Sequence, residues 1–204
     1  MDEEKEDNIK IILLGEISTG KTSLINVYFD YGFSDSEKTS VSASFFQGEI
    51  SVNEKKYLVE LWDTAGQEKF RSLTKNFIRG SNIVIFVYDI TSEKTFEEIE
   101  DYWIDTVKEE LKDKAIYGIA GNKSDLFENE KVETKKGKEL AEKIGGFFSQ
   151  TSAKENPGGF KAFVKTLIEQ LLLKQNIIKK GDNIILKDSS LIAEDQKKKK
   201  KCIC

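Results

Sequence analysis

The 204-residue chain predicts an α/β fold, a doubly wound and mostly parallel sheet with one antiparallel edge strand. Three observations carry this. The apolar runs Ile11–Leu14, Ile83–Tyr88 and Ile116–Ala120 have the pattern of strands buried on both faces. Stretches of helical periodicity separate them. Residues 45–52 and 57–62 break that rhythm as two strand-like runs in succession.

In chain order, Ile11–Leu14 is the first strand, and a helix opens at Ser23-Leu24-Ile25 after a glycine-bearing turn. Residues 45–52 and 57–62 read as a hairpin joined by Asn53-Glu54-Lys55-Lys56. The alternation Tyr57/Val59/Leu61 marks its inward face, and a hairpin in a parallel sheet places one antiparallel strand at the edge. Ile83–Tyr88 and Ile116–Ala120 follow as central strands. The last helix is set by Phe160, Phe163, Val164, Leu167, Ile168, Leu171 and Leu172, spaced to form one buried face. Pro157, the only proline, stands where a helix start tolerates it. No internal repeat is visible. Past residue 174 the periodicity decays, and the segment reads as a tail.

Composition removes several functions. Charged residues make up 33%, with a net charge of −4. Residues 1–10 carry five acids and two lysines, whereas 187–204 carry six lysines and three acids. Such a balance argues against a nucleic-acid binder that works through a broadly basic surface. The longest apolar run, Ile83–Tyr88, is far short of the ~18–20 residues that span a bilayer. MDEEKEDN has neither the basic start nor the apolar core of a signal peptide. The two cysteines, Cys202 and Cys204, fit a reducing compartment rather than a disulfide scaffold. With no histidine, Ser-His-Asp triads, Cys-His pairs and nearly all zinc hydrolase sites drop out.

Gly15-Glu16-Ile17-Ser18-Thr19-Gly20-Lys21-Thr22 follows a strand and opens a helix, and it matches G-x-x-x-x-G-K-[ST]. Glycines let backbone N–H groups face phosphate, and the helix N-terminus favours anions. The lysine balances β- and γ-phosphate charge, and the threonine hydroxyl suits Mg²⁺. Such a loop alone does not separate ATPase, kinase and GTPase. Asn122-Lys123-Ser124-Asp125, after the strand 116–120, does. A carboxylate at Asp125 accepts from the ring N–H and amino group of guanine, and adenine has no matching donors. Alone, that tetrad is equally an ordinary turn; its position after the phosphate loop decides. Trp62-Asp63-Thr64-Ala65-Gly66-Gln67-Glu68-Lys69-Phe70 supplies an acid at a strand end for Mg²⁺, a glycine N–H for a γ-phosphate and a glutamine for a water.

These motifs, with Thr151-Ser152-Ala153-Lys154 after them, resemble a small GTPase of the Ras superfamily over about residues 8–174. Arg71-Ser72-Leu73-Thr74 and Tyr88-Asp89-Ile90-Thr91 make the likeness closest to the Rab branch. The resemblance implies a P-loop GTPase fold with six strands and about five helices. It implies an acidic extension over 1–7, a GTP-binding domain over 8–174 and a hypervariable tail over 175–204. It further implies that N–H groups of Ser18, Thr19, Gly20, Lys21 and Thr22 cradle phosphate, with Gly15 and Ser23 bounding the loop and Lys21 on the β- and γ-oxygens. Thr22 and Ser40 would bind Mg²⁺ directly and Asp63 through water. Gly66 would sense the γ-phosphate, and Gln67, with Lys21, would serve catalysis. Asn122 and Asp125 would read guanine, Lys123 would lie along the base, Phe33 would pack on it, and Ala153, flanked by Ser152 and Lys154, would meet its oxygen.

Two departures stand out. Ser40, eighteen residues past Thr22, sits in Ser40-Val41-Ser42-Ala43-Ser44-Phe45 where Rab proteins usually carry threonine within TIGVDF. Ile17 stands where the family has glycine, serine or alanine. At the end of the chain, Cys202-Ile203-Cys204 resembles the C-x-C terminus on which Rab proteins receive two geranylgeranyl groups, and Lys197–Lys201 would attract anionic lipid. The resemblance implies a monomeric GTP/GDP switch in vesicle traffic, on the cytosolic face of an endomembrane and cycling to the cytosol. Its partners would be an exchange factor, an activating protein, an escort or GDI-type protein, and effectors. A GTP-loaded scaffold with negligible hydrolysis is the alternative. Gln67 favours the enzyme, and Ile17 with the unusual first switch favours the scaffold. A P-loop kinase or ATPase is opposed by Asp125.

Overall fold

The structure is a computed structural model that describes residues 8–34, 44–52, 54–64, 71–112 and 114–176. Six strands form one sheet: β1 Asn8–Leu14, β2 Ser44–Val52, β3 Lys55–Asp63, β4 Ile83–Asp89, β5 Ile116–Asn122 and β6 Phe147–Gln150. Their order across the sheet is β2-β3-β1-β4-β5-β6. β2 runs antiparallel to β3 at the edge, and every other pairing is parallel. The described helices are α1 Lys21–Tyr28, α2 Arg71–Ile78, α3 Glu93–Glu98, α4 Ile104–Leu111, α5 Thr134–Lys143 and α6 over 157–176. The count is six because the π-helical turn Ile99–Trp103 separates α3 from α4.

Uniform apolar runs arise because both faces of the central strands are covered. Along β1, Ile9, Ile11 and Leu13 face one core, shared with Leu24 and Ile25 of α1 and Phe160, Val164 and Leu167 of α6. Ile12 and Leu14 face the other core, built with Phe96, Ile99, Trp103 and Val107 of the α3–α4 segment and Leu140 of α5. All seven residues of β4 are buried, as its sequence predicts. Pro157 is the first residue of α6, where its missing N–H costs no helical bond.

The hairpin differs from its expected bounds. Lys55 and Lys56, expected in the turn, pair with Val52 and Ser51, so β3 starts two residues earlier. Both lysines are exposed, and charge is tolerated where a strand end meets solvent. The rest of β3 alternates as its sequence implies, with Tyr57, Val59 and Leu61 buried. On its other side Trp62 stacks on Phe45 at 5.2 Å and lies 5.6 Å from Phe77.

The five parallel strands run the same way, so their carboxyl ends share one rim of the sheet. Gly15 follows β1 there, Asp63 ends β3, Asp89 ends β4, Asn122 ends β5 and Thr151 follows β6. In a doubly wound sheet that rim is where ligands bind.

Candidate nucleotide-binding site

The loop 15–20 folds back over the end of β1 because two of its positions accept only glycine. A Cβ on Gly15 would stand on the carbonyl oxygen of Val87, and one on Gly20 would strike the side-chain nitrogen of Asn122. Gly20 also holds φ 90°, a left-handed conformation that costs side-chain-bearing residues energy. From there the chain enters α1, whose first amides point out of the helix end. Thr19 closes the loop by donating to the Glu16 carbonyl at 3.0 Å.

Lys21 is buried, and its Nζ donates to the carbonyls of Gly15 at 2.9 Å and Glu16 at 2.8 Å. Burial pulls its ammonium from the usual 10.5 down to about 8, against the opposing attraction of Asp63 and Glu16. A bound phosphate would add negative charge and hold the proton on, so binding takes up a growing fraction of a proton as the pH rises through about 8. The sign for the nucleotide-free fold follows. Between about 8 and 10.5 the unfolded chain holds more protons, so this lysine's cost to stability is full below 8 and fades as the pH rises. Calorimetric titration of nucleotide-free protein with GDP, in buffers of different ionisation enthalpy, should show proton uptake rising between about pH 7 and pH 8.5. Uptake that stays flat across that interval would mean the lysine is charged throughout.

Thr22 donates through Oγ1 to Oδ2 of Asp63 at 2.7 Å. Thr64 anchors the end of β3 by donating to the Leu13 carbonyl at 2.7 Å, so the first turn of α1 and the end of β3 present Thr22 and Asp63 side by side. Two hard oxygen donors beside a phosphate loop suit Mg²⁺, which keeps most of its waters and takes few protein ligands. Among the described residues no cluster of three or more His, Cys, Asp or Glu gathers to hold a metal. The donor set is therefore one that phosphate and water would have to complete.

At the other end of the site, Asn122 is buried and spans three segments. Its Nδ2 donates to the Thr19 carbonyl at 2.9 Å, and its Oδ1 accepts from Thr151 Oγ1 at 3.2 Å. The amide thus ties the phosphate loop to β5 and to the loop after β6. Asp125 lies in the short 3-10 segment Ser124–Asn129, where its Oδ1 accepts from Ser152 Oγ at 2.6 Å. Ser152 in turn accepts from the Glu155 amide at 2.9 Å, which fixes the hydroxyl's direction. Lys123 holds φ 65° and pairs with Asp89 at 2.6 Å. Lys154 Nζ stands 5.9 Å from the centre of the Phe33 ring. Ala153 is buried beside them, and Ser18 and Ile17 lie exposed on the rim of the loop.

The structure therefore brings Gly15, Ser18, Thr19, Gly20, Lys21, Thr22, Ser23 and Asp63 to one half of the rim. It brings Phe33, Asn122, Lys123, Asp125, Ser152, Ala153 and Lys154 to the other half. Ser40, Gly66, Gln67, Cys202 and Cys204 lie outside the described residues. Sequence reasoning passed over Thr64 and Thr151, whose hydroxyls position the loops. A threonine just past a strand end, next to a motif residue, was the available signal.

Residues 10–172 match the Ras family. The chain is similar to the Ras-related protein RabC of Dictyostelium discoideum, 40% identical over 162 residues, which span 78% of this chain and 82% of that one. It is 37% identical over 169 residues to Rab-2B of the same organism, across 83% of each chain. To Rab5A of Oryza sativa subsp. japonica it is 36% identical over 147 residues, 72% of each. The chain belongs to the Ras family, in its Rab type. As a Rab-type GTPase it is a guanine-nucleotide-binding protein and a GTP hydrolase. No helix among its described residues is long and apolar enough to cross a membrane.

Proposed function

We propose that this Rab-type GTPase is a membrane-surface switch that recruits transport machinery while GTP is bound. The observation that carries the reading is the Asn122 bond to Thr19, which couples the guanine-reading segment to the phosphate loop across the rim. Asp125, held by Ser152, accepts from guanine, with Lys123 and Phe33 along its faces and the Ala153 N–H toward its oxygen. N–H groups from Ser18 to Thr22 hold the phosphates, and Lys21 turns its ammonium to the β- and γ-oxygens. Thr22, Ser40 and, through water, Asp63 would hold Mg²⁺. When bound, the ion would neutralise charge that develops on the phosphate oxygens. Gln67 orients the attacking water, and the Gly66 N–H binds the γ-phosphate. Ser40 and Gly66 release their segments, near 32–46 and 64–80, when that phosphate leaves.

Protein loaded with GTP should complete a single turnover to GDP and phosphate. Gln67→Leu should slow it at least about tenfold, because the water loses its positioning group. Equal rates for the two would remove Gln67 from this role.

The domain over 8–174 carries the switch, and the tail over 175–204 carries the anchor. Prenyl groups on Cys202 and Cys204 give stable attachment where one chain gives only reversible binding. Lys197–Lys201 adds about 1 kcal/mol per lysine at an anionic leaflet. Exchange factor, activating protein, escort protein and effectors act on the switch segments and this tail. Replacing both cysteines should release the protein to the cytosol. Mass spectrometry of the protein from its native cells that finds both thiols free would overturn the attachment.

A further inference from the structure

The run Tyr88-Asp89-Ile90-Thr91 contains an acid that nucleotide chemistry does not call for. Asp89 ends β4 and is buried at 8% exposure. Its Oδ1 accepts from the Thr91 amide at 2.8 Å and from Thr91 Oγ1 at 2.7 Å. Its backbone N–H donates to Thr95 Oγ1 at 3.1 Å, and that hydroxyl donates to the Ser92 carbonyl at 2.8 Å. The carboxylate is thus fixed by its own turn. Its second oxygen, Oδ2, receives Lys123 Nζ at 2.6 Å.

Lys123 reaches that oxygen because β4 and β5 pair with Asp89 opposite Asn122 and the Ile90 amide donates to the Asn122 carbonyl at 3.1 Å. The pair is largely shielded, with side-chain exposures of 32% for Lys123 and 11% for Asp89, so salt screens it less than a surface pair. A lysine has four rotatable bonds and would otherwise sample many directions at the mouth of the site. Holding its ammonium before the ligand arrives removes the entropy cost of ordering the stem along the base.

We infer that Asp89 is a positioning residue for guanine-nucleotide retention, acting through Lys123. The inference rests on the reading that Lys123 lies along the base. Asp89→Asn tests it closely, since the amide oxygen still accepts from Thr91 while the charge facing Lys123 is gone. Release of a fluorescent GDP analogue, chased with excess GDP in the presence of Mg²⁺, should be about tenfold faster in Asp89→Asn than in wild type. Lys123→Met should also release it faster, and the double variant should match Lys123→Met alone, because the acid then has nothing to position. Release from Asp89→Asn at the wild-type rate overturns the inference. So does an equal acceleration by Asp89→Asn in both backgrounds, which would assign its effect to the Thr91 turn. If Lys123→Met alone releases GDP no faster, the inference falls together with the reading of Lys123 against the base. If Asp89→Asn fails to fold, Asp89→Glu keeps the charge one methylene out of place, and its intermediate rate is read against Lys123→Met in the same way.

Discussion

Asp125→Asn should lower the affinity for GDP and GTP by about 10²–10³ and create affinity for xanthine nucleotides. The carboxylate is aimed by Ser152 at 2.6 Å, so both ring donors of guanine would meet a preset acceptor. Hydrogen bonds to a charged group are worth about 1.5–3 kcal/mol each, and every 1.4 kcal/mol is tenfold in affinity. Asparagine keeps one oxygen but turns an N–H₂ toward the guanine amino group, donor against donor. Xanthine carries an oxygen at that position, and the same amide then donates to it. Competition titrations against a labelled GDP would read both halves of the exchange. Equal affinity of the unaltered protein for ATP and GTP would remove Asp125 as the reader of the base.

Ile17→Gly should raise hydrolysis most where an activating protein is present. Ile17 is exposed on the rim of the phosphate loop, next to the place expected for the γ-phosphate. A branched side chain at that place would crowd an incoming arginine and the transition-state position expected for Gln67. GDP affinity should hold, because the loop grips phosphate through backbone N–H groups. An arginine supplied in trans is worth ~10³–10⁵ in rate, roughly 4–7 kcal/mol of barrier, so even partial exclusion is large. Single-turnover hydrolysis of wild type, Ile17→Gly and Ile17→Ser, each with and without a Rab-type activating domain, makes the comparison. Identical rates throughout would show that the loop accommodates isoleucine without penalty, and would remove the main support for a scaffold with negligible hydrolysis.

The central sheet was legible because burial on two faces forces unbroken apolar sequence, and β1, β4 and β5 obey that rule. The phosphate loop was legible because close backbone approach demands glycine at 15 and 20. β6 carries no comparable signal. It has only four residues, Phe147–Gln150, none of them fully buried, at the sheet edge opposite β2. The π turn Ile99–Trp103 was hidden for another reason. Phe96, Ile99, Trp103 and Val107 keep the three- and four-residue spacing of one buried helix face across it, so the pattern reads as unbroken helix. Asp89 is the instructive miss in the site. An acid after an apolar strand looks like a simple strand end, and only the register that sets Asp89 opposite Asn122 brings Lys123 within reach. Asn122, expected to read guanine, also ties Thr19 to Thr151 through its amide, a role that the motif does not spell out. A sequence motif names the residues of a site without naming which of them hold the others.

The bond from Asn122 to Thr19 joins positions 103 residues apart in the chain. During synthesis the phosphate loop emerges early, and its partner emerges only after more than half of the chain has followed. Closing so large a loop is entropically costly, and the clasp needs β1 and β5 in place within the sheet before its ends can meet. A nascent chain therefore carries an intact phosphate-binding motif long before it can retain a guanine nucleotide. Once the ligand does bind, it touches segments at both ends of that span and adds its own free energy to holding them together. For this protein, the first nucleotide would therefore stabilise the closure that spans half of the chain.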